Sequence, residues 1–151
     1  MRFSGWRDVF RDLSALGSTL FFAILIIALL FNGLSGTALR VFLGYVLISA
    51  IAAVIRWAYF SERPEPQSYS NWLEKLDAGS FPSIHAARVQ MAAVLLSAQF
   101  PNAYLIALFS LLAVLVMVSR VFLKRHSPRD VIAGQLLGAI LAFAVMRLVA
   151  L

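Results

Sequence analysis

Residues 102–123, NAYLIALFSLLAVLVMVSRVFL, carry a single charge, Arg120, and it falls near the end of the run. A helix needs about 20 apolar residues to cross the hydrocarbon core of a bilayer, and this stretch supplies them. Four further apolar runs flank it, at residues 16–31, 37–60, 83–100 and 129–150. Lipid offers no partner to an unpaired backbone N–H or C=O, so each run must satisfy its own hydrogen bonds as a helix. The expected fold is therefore all-α: an integral membrane helical bundle of five transmembrane helices, forming one membrane-embedded domain over residues 1–151.

Composition agrees with lipid as the main solvent. Hydrophobic residues make up 62% of the chain and charged residues 13%, well outside the usual balance of a soluble domain. The formal charge of +6 favours anionic partners. Its carriers lie at helix ends and in loops of a very apolar chain, which suits phosphate headgroups and sets nucleic acid aside. With no cysteine, disulfides and thiolate metal sites are excluded.

Arg2, Arg7 and Arg11 precede the first run, a pattern shared with secretory signal peptides. Removing residues through the Asn32–Gly36 stretch would take a helix from a small bundle, so a retained signal anchor is the expectation. Residues 1–14 place Phe3, Trp6, Phe10 and Leu13 at helical spacing between charges, as in a short helix lying at the membrane interface. A frayed terminus fits the same residues.

The turns at 32–36 and 99–102 are short, whereas 61–81 and 121–128 are longer and polar. Two crossings separate the longer loops, so they and the N-terminus share one face. Arg2, Arg7, Arg11, Lys75, Lys124, Arg125 and Arg129 lie there, against Arg40 and Arg147 opposite. The positive-inside rule makes that face cytoplasmic, in a multi-pass protein of the cell membrane. Within the loop, Asn71 and Glu74 have capping-box spacing for a short helix ending at Gly79. Trp57, Tyr59, Phe60 and Trp72 read as an interfacial aromatic belt.

Three polar clusters fall on this face. Arg56 precedes Arg63-Pro64 by one turn-forming stretch; guanidinium forks match phosphate oxygens, though arginines at helix ends also snorkel to water. Phe81-Pro82-Ser83-Ile84-His85 opens the third span, where first-turn N–H groups can cradle an anion and His85 can pass a proton. The same residues read as a simple helix cap. Ser119-Arg120 through His126 to Asp130 brings together a candidate nucleophilic imidazole, a carboxylate and a guanidinium. Ser127, Pro128 and Asp130 equally fit an N-cap, a first-turn proline and a dipole-favoured acid.

Together, Arg-x6-Arg-Pro, Pro-Ser-x-His and Ser-Arg-x5-His-x3-Asp resemble, in order and spacing, the three signatures of the type 2 phosphatidic acid phosphatase (PAP2) family of membrane phosphatases. The match runs from Arg56 to Asp130. What it implies is a two-step transfer in which His126 attacks phosphorus, Asp130 orients and charges it, and His85 protonates the leaving oxygen. Water then hydrolyses a phosphohistidine. Arg56, Arg63, Ser83, Ile84 and Arg120 would bind the phosphate, with no metal and no cofactor.

Two positions depart from the family pattern: Arg56 stands where lysine is usual, and Ile84 where glycine is usual. If Ile84 is helical, its N–H stays available; a positive φ there would exclude it. The implied substrate is a membrane lipid phosphate such as phosphatidate, phosphatidylglycerol phosphate, or a polyprenyl phosphate or diphosphate. Transfer to an acceptor other than water, and a non-catalytic protein that binds anionic lipid, are the alternatives. Arg88, one turn beyond His85, can reach a headgroup or pair with a carboxylate. Gly134 and Gly138 suit close helix packing. Oligomeric state stays open.

Overall fold

The computed structural model describes residues 4–149, so Arg2, Phe3 and residue 150 of the expected elements lie outside it. The described chain is entirely helical: α1 (Ser4–Ala15), α2 (Thr19–Phe31), α3 (Ser35–Ala58), α4 (Trp72–Ala78), α5 (Ile84–Gln99), α6 (Ala103–Phe122) and α7 (Pro128–Leu148). Polar residues set the boundaries. Ser18 accepts from the Phe21 amide at 3.2 Å, Asn102 from those of Tyr104 and Leu105 at 2.9 and 3.3 Å, and Asn71 from that of Glu74 at 2.9 Å. Each cap satisfies amides that a helix start leaves without partners.

Helices α3, α6 and α7 are long and apolar enough to cross a membrane. Segments α1 and α2 meet that test only as a pair, bent by 47° at residues 16–18. Three spans, or four with the bent pair, thus stand against the five expected. The apolar run at 16–31 does not stay one helix, because Gly17 and the Ser18 cap interrupt it. Alone, α2 is about 20 Å long, against about 30 Å of hydrocarbon. Helix α1 also does more than lie at an interface: it packs on α6, with the Phe10 and Phe122 rings 4.3 Å apart.

Helix α5 sits at the centre, packed against α3, α6 and α7. Small residues allow this. A Cβ on Gly134 would lie 2.4 Å from the Ser83 carbonyl, and one on Gly138 2.1 Å from that of Ala87, so α7 approaches the α5 backbone more closely than alanine permits. Phe22, Val41, Ile48, Met91, Leu95 and Val145 fill the core between α2, α3, α5 and α7. Exposed apolar residues such as Leu20, Val54, Leu136, Ile140 and Phe143 cover the outside, as expected where lipid is the solvent.

The end of the bundle away from the polar loops is tied by Thr37 Oγ1 donating to Gln99 at 2.5 Å and by Arg40 donating to the Val149 carbonyl at 2.7 and 3.1 Å. At the other end, Lys124 takes φ 54° as the chain leaves α6, and its carbonyl accepts from the Glu65 amide at 3.1 Å. That bond fastens the 61–81 segment over the start of α7.

Candidate active site

A cavity of about 310 Å³ opens at the polar-loop end of the bundle, and Arg56, Arg63, Arg88, Arg120, His85 and His126 all line it. They arrive on several pieces of local structure, with His85 and Arg88 sharing α5. Arg56 closes α3, Arg120 lies in the last turn of α6, His85 follows the Ser83 cap of α5, and His126 sits in the link before α7.

Arg56 is 4% exposed. It donates to the carbonyls of Leu76 at 3.0 Å and Pro82 at 3.1 Å. Gly79 makes room for it, since a Cβ there would sit 3.0 Å from the Arg56 stem. Arg63 donates to the Asp77 carbonyl at 2.5 Å and to the Gln67 side chain. Arg120 donates to Ser14 Oγ at 2.7 Å, so α1 helps aim a residue of α6. The Nε atoms of Arg56, Arg63, Arg88 and Arg120 are buried without a hydrogen-bond partner, and among the described residues no other buried side-chain nitrogen or oxygen is in that condition. Unmet donors on buried cations are strongly unfavourable; an anion in the cavity relieves the charge they share.

His126 is 2% exposed and its tautomer follows from its partners. Nδ1 lies 2.8 Å from the Ser80 carbonyl, which can only accept, so Nδ1 carries the proton of the neutral ring. Nε2, 3.4 Å from Arg120 Nη2, therefore keeps a lone pair beside the guanidiniums. The Asp130 carboxylate does not touch the ring. Its Oδ2 accepts from Ser80 Oγ at 2.6 Å and from the Ser127 amide at 2.7 Å, and Ser80 Oγ lies 3.4 Å from Nδ1. Ser80 is the residue that touches both Asp130 and His126.

The same carboxylate completes a capping box with Ser127 at the start of α7. The cap reading and the site reading of Asp130 thus describe one geometry. Ile84 is the first residue of α5, and among the described non-glycine residues only Lys124 has a positive φ. A side chain is tolerated where the family usually has glycine because the backbone is already helical.

Of the expected residues, Arg56, Arg63, Ile84, His85, Arg120 and His126 line the cavity. Ser83 does not: it is fully buried, it caps α5, and its amide donates to the Asp130 carbonyl at 3.0 Å. Ser80 and Ser14 went unforeseen. No spacing marks Ser80, although it directly precedes the Phe81-Pro82 pair, and Ser14 sits at the far end of a segment read only for its apolar stripe. Ser18, Thr19 and Asp77 also line the cavity without having been anticipated.

Burial, then the charges of Arg120, Arg63 and Arg56, push the His126 imidazole down to about 2, against a smaller upward pull from the Ser80 carbonyl. Between that value and an unfolded value of about 6.5 the unfolded chain binds a proton that the folded chain refuses. This site's contribution to stability is therefore full above the unfolded value and declines as pH falls below it. In unliganded protein, the ¹⁵N shifts of His126 are expected to show a neutral ring at pH 5; an inflection near pH 6.5 would contradict the account.

The described chain is thus an all-helical bundle, with helices apolar enough to cross a membrane, around an arginine-rich cavity lined by two histidines. The family model of the PAP2 superfamily matches residues 37–151, and the chain belongs to that superfamily. Comparison with curated proteins returns no match. Among solved structures, LpxE of Aquifex aeolicus superposes with a TM-score of 0.81 at 24% identity, over 97% of this chain and 88% of that one. The first transmembrane PAP2-type phosphatidylglycerolphosphate phosphatase from Bacillus subtilis superposes with a TM-score of 0.76 at 24% identity, over 98% of this chain and 78% of that one. These likenesses concern the fold.

Proposed function

We propose that the protein is a membrane lipid phosphate phosphatase that works through a phosphohistidine on His126, without a metal. The observation that carries this is the grouping of Arg56, Arg63 and Arg120, each with a buried Nε that lacks a partner, around a histidine whose Nδ1 is held by the Ser80 carbonyl and whose Nε2 is left unprotonated. Nε2 attacks phosphorus, and the bond from phosphorus to the leaving oxygen breaks. His85 gives that oxygen its proton. Arg56, Arg63 and Arg120 hold the three equatorial oxygens as charge spreads over them, supplying the positive charge a divalent cation would otherwise bring. Asp130, through Ser80, steadies the imidazolium. Water then attacks the phosphohistidine, returns a proton to His85 and releases inorganic phosphate.

Ser83 and Ile84 shape the α5 start that borders the phosphate. In this reading residues 1–151 form one unit that crosses the cell membrane five times, with α2 and α5 as short crossings shielded by their neighbours, and with the site on the cytoplasmic face. Leu16, Phe21, Leu25, Val89, Ala93 and Phe109 line an apolar pocket of about 90 Å³, and Leu16 adjoins the Gly17–Thr19 break that borders the cavity. The pocket suits the first carbons of a lipid tail entering sideways. One fold neighbour is by name a phosphatidylglycerolphosphate phosphatase, which favours a substrate of that kind. The non-catalytic alternative draws only on Ile84, and the helical backbone there supports the catalytic reading instead.

The test is phosphate release from a panel of lipid phosphates in detergent with excess EDTA. Release that persists in EDTA is expected for at least one of them. Release abolished by EDTA would overturn the metal-free chemistry, and none from any lipid would overturn the activity.

A further inference from the structure

Arg88 has no part in the chemistry above, yet it occupies the same cavity. It is 8% exposed and lies three residues beyond His85, one turn and about 4.5 Å further into the bilayer. Its partners are all neutral. Nη2 donates to Ser49 Oγ at 3.0 Å, Nη1 reaches the Gly17 carbonyl and Thr19 Oγ1 only at 3.5 Å, and the guanidinium lies 4.1 Å from the centre of the Tyr45 ring. Nε has no partner. The one ion pair among the described residues joins Arg11 to Asp8, so no carboxylate is in contact with Arg88, and Asp77 acts on it only from across the cavity. A guanidinium at that depth is expensive without an anion and marks a ligand path by default.

The charge of the cavity points the same way. Four guanidiniums line it against one carboxylate, that of Asp77, while Asp130 stands behind the lining, engaged with Ser80 and Ser127. The formal excess is three positive charges. One phosphomonoester supplies up to about two negative charges near neutral pH. A second phosphate brings the balance to three, and Arg88, three residues beyond His85 in the same lining, is the guanidinium left for it.

Resting on the phosphatase reading, we propose that Arg88, with Thr19 and Ser49, forms a second anion subsite, and that the preferred substrate carries two phosphates. The terminal one is transferred to His126. The other, bound at Arg88, stays on the leaving group, either as the phosphate of a lipid diphosphate or as a phosphodiester spaced from the scissile group by a short alcohol.

The experiment compares kcat/KM for phosphatidate, diacylglycerol diphosphate and phosphatidylglycerol phosphate in one micelle composition, for the wild type, Arg88→Gln and Arg88→Lys. Loss of a charge-assisted contact predicts that Arg88→Gln falls about 100-fold on the two-phosphate substrates and less than about tenfold on phosphatidate, with Arg88→Lys recovering part of the difference. Which two-phosphate lipid loses more separates the contiguous from the spaced arrangement. An equal fall on all three, or lysine no better than glutamine, would make Arg88 a strut between α5 and the α1–α2 break and overturn the subsite. Binding of inorganic pyrophosphate against inorganic phosphate keeps the two readings apart. If no lipid is hydrolysed, the phosphatase reading fails, while the subsite survives only if the wild type favours pyrophosphate and Arg88→Gln loses that preference.

Discussion

Replacing His126 by alanine is expected to lower lipid phosphate hydrolysis by at least about 10⁴-fold, leaving only what the arginine cavity achieves by binding. The size follows from geometry. His126 is the one imidazole whose tautomer the fold dictates: the Ser80 carbonyl, 2.8 Å from Nδ1, holds the proton there and leaves Nε2 unprotonated beside Arg120. His85 is half-buried at the start of α5, with Gly17 packed so closely that a Cβ would lie 2.7 Å from its own Cβ. That position suits a proton donor to the departing oxygen. The variant is also expected to keep binding inorganic phosphate, because no guanidinium is removed. A His126→Ala protein that hydrolyses lipid phosphates within tenfold of wild type would exclude His126 as the nucleophile.

Asp130→Asn comes next in size, with an expected loss of about 10²- to 10³-fold in kcat/KM, smaller than the roughly 10⁴-fold seen where a carboxylate holds the catalytic imidazole directly, because here Ser80 stands between them. One oxygen, Oδ2, accepts from both Ser80 Oγ and the Ser127 amide. An amide keeps the shape and loses the charge that the imidazolium draws on through Ser80. Loss of the acid from the α7 capping box lowers stability by about 1 kcal/mol as well. Ser80→Ala breaks the hydroxyl link but spares the carbonyl, so a loss near tenfold is expected. Because both substitutions sever one chain of contacts, their effects should fall well short of additive. Full additivity, measured as kcat/KM in the four-member cycle, would show that Asp130 acts by another route.

Helix identity was legible wherever an apolar run was long and unbroken: the expected spans at 37–60, 102–123 and 129–150 correspond to α3, α6 and α7 within a few residues. Hydropathy alone could not reveal the break at 16–18, since Gly17 and Ser18 barely interrupt the run; a serine cap and the close contact of Gly17 with His85 decide it. Nor does a crossing by α2 alone or by α5 follow from helix length.

At the site, the charged residues were readable because burying arginine or histidine in so apolar a chain demands a reason. The serines were not. Ser80, Ser14 and Ser49 act through neutral hydroxyl or carbonyl groups whose partners lie far away in sequence, and no periodicity signals such contacts. Ser83 looked like a phosphate ligand by position, yet its hydroxyl is turned to the Ala86 amide, 3.5 Å away, as a cap. Arg88 could pair with a carboxylate or face a headgroup on sequence grounds; the absence of any acidic partner among the described residues narrows that choice.

The most direct test of the central claim is to mix the protein with a lipid phosphate carrying ³²P in its terminal group, quench with base within the first turnover, and count label on the polypeptide. A phosphohistidine survives base and is lost in acid. The account predicts base-stable, acid-labile label on the wild type and none on His126→Ala. Label that persists on His126→Ala, or phosphate release with no labelled protein at any quench time, would contradict it.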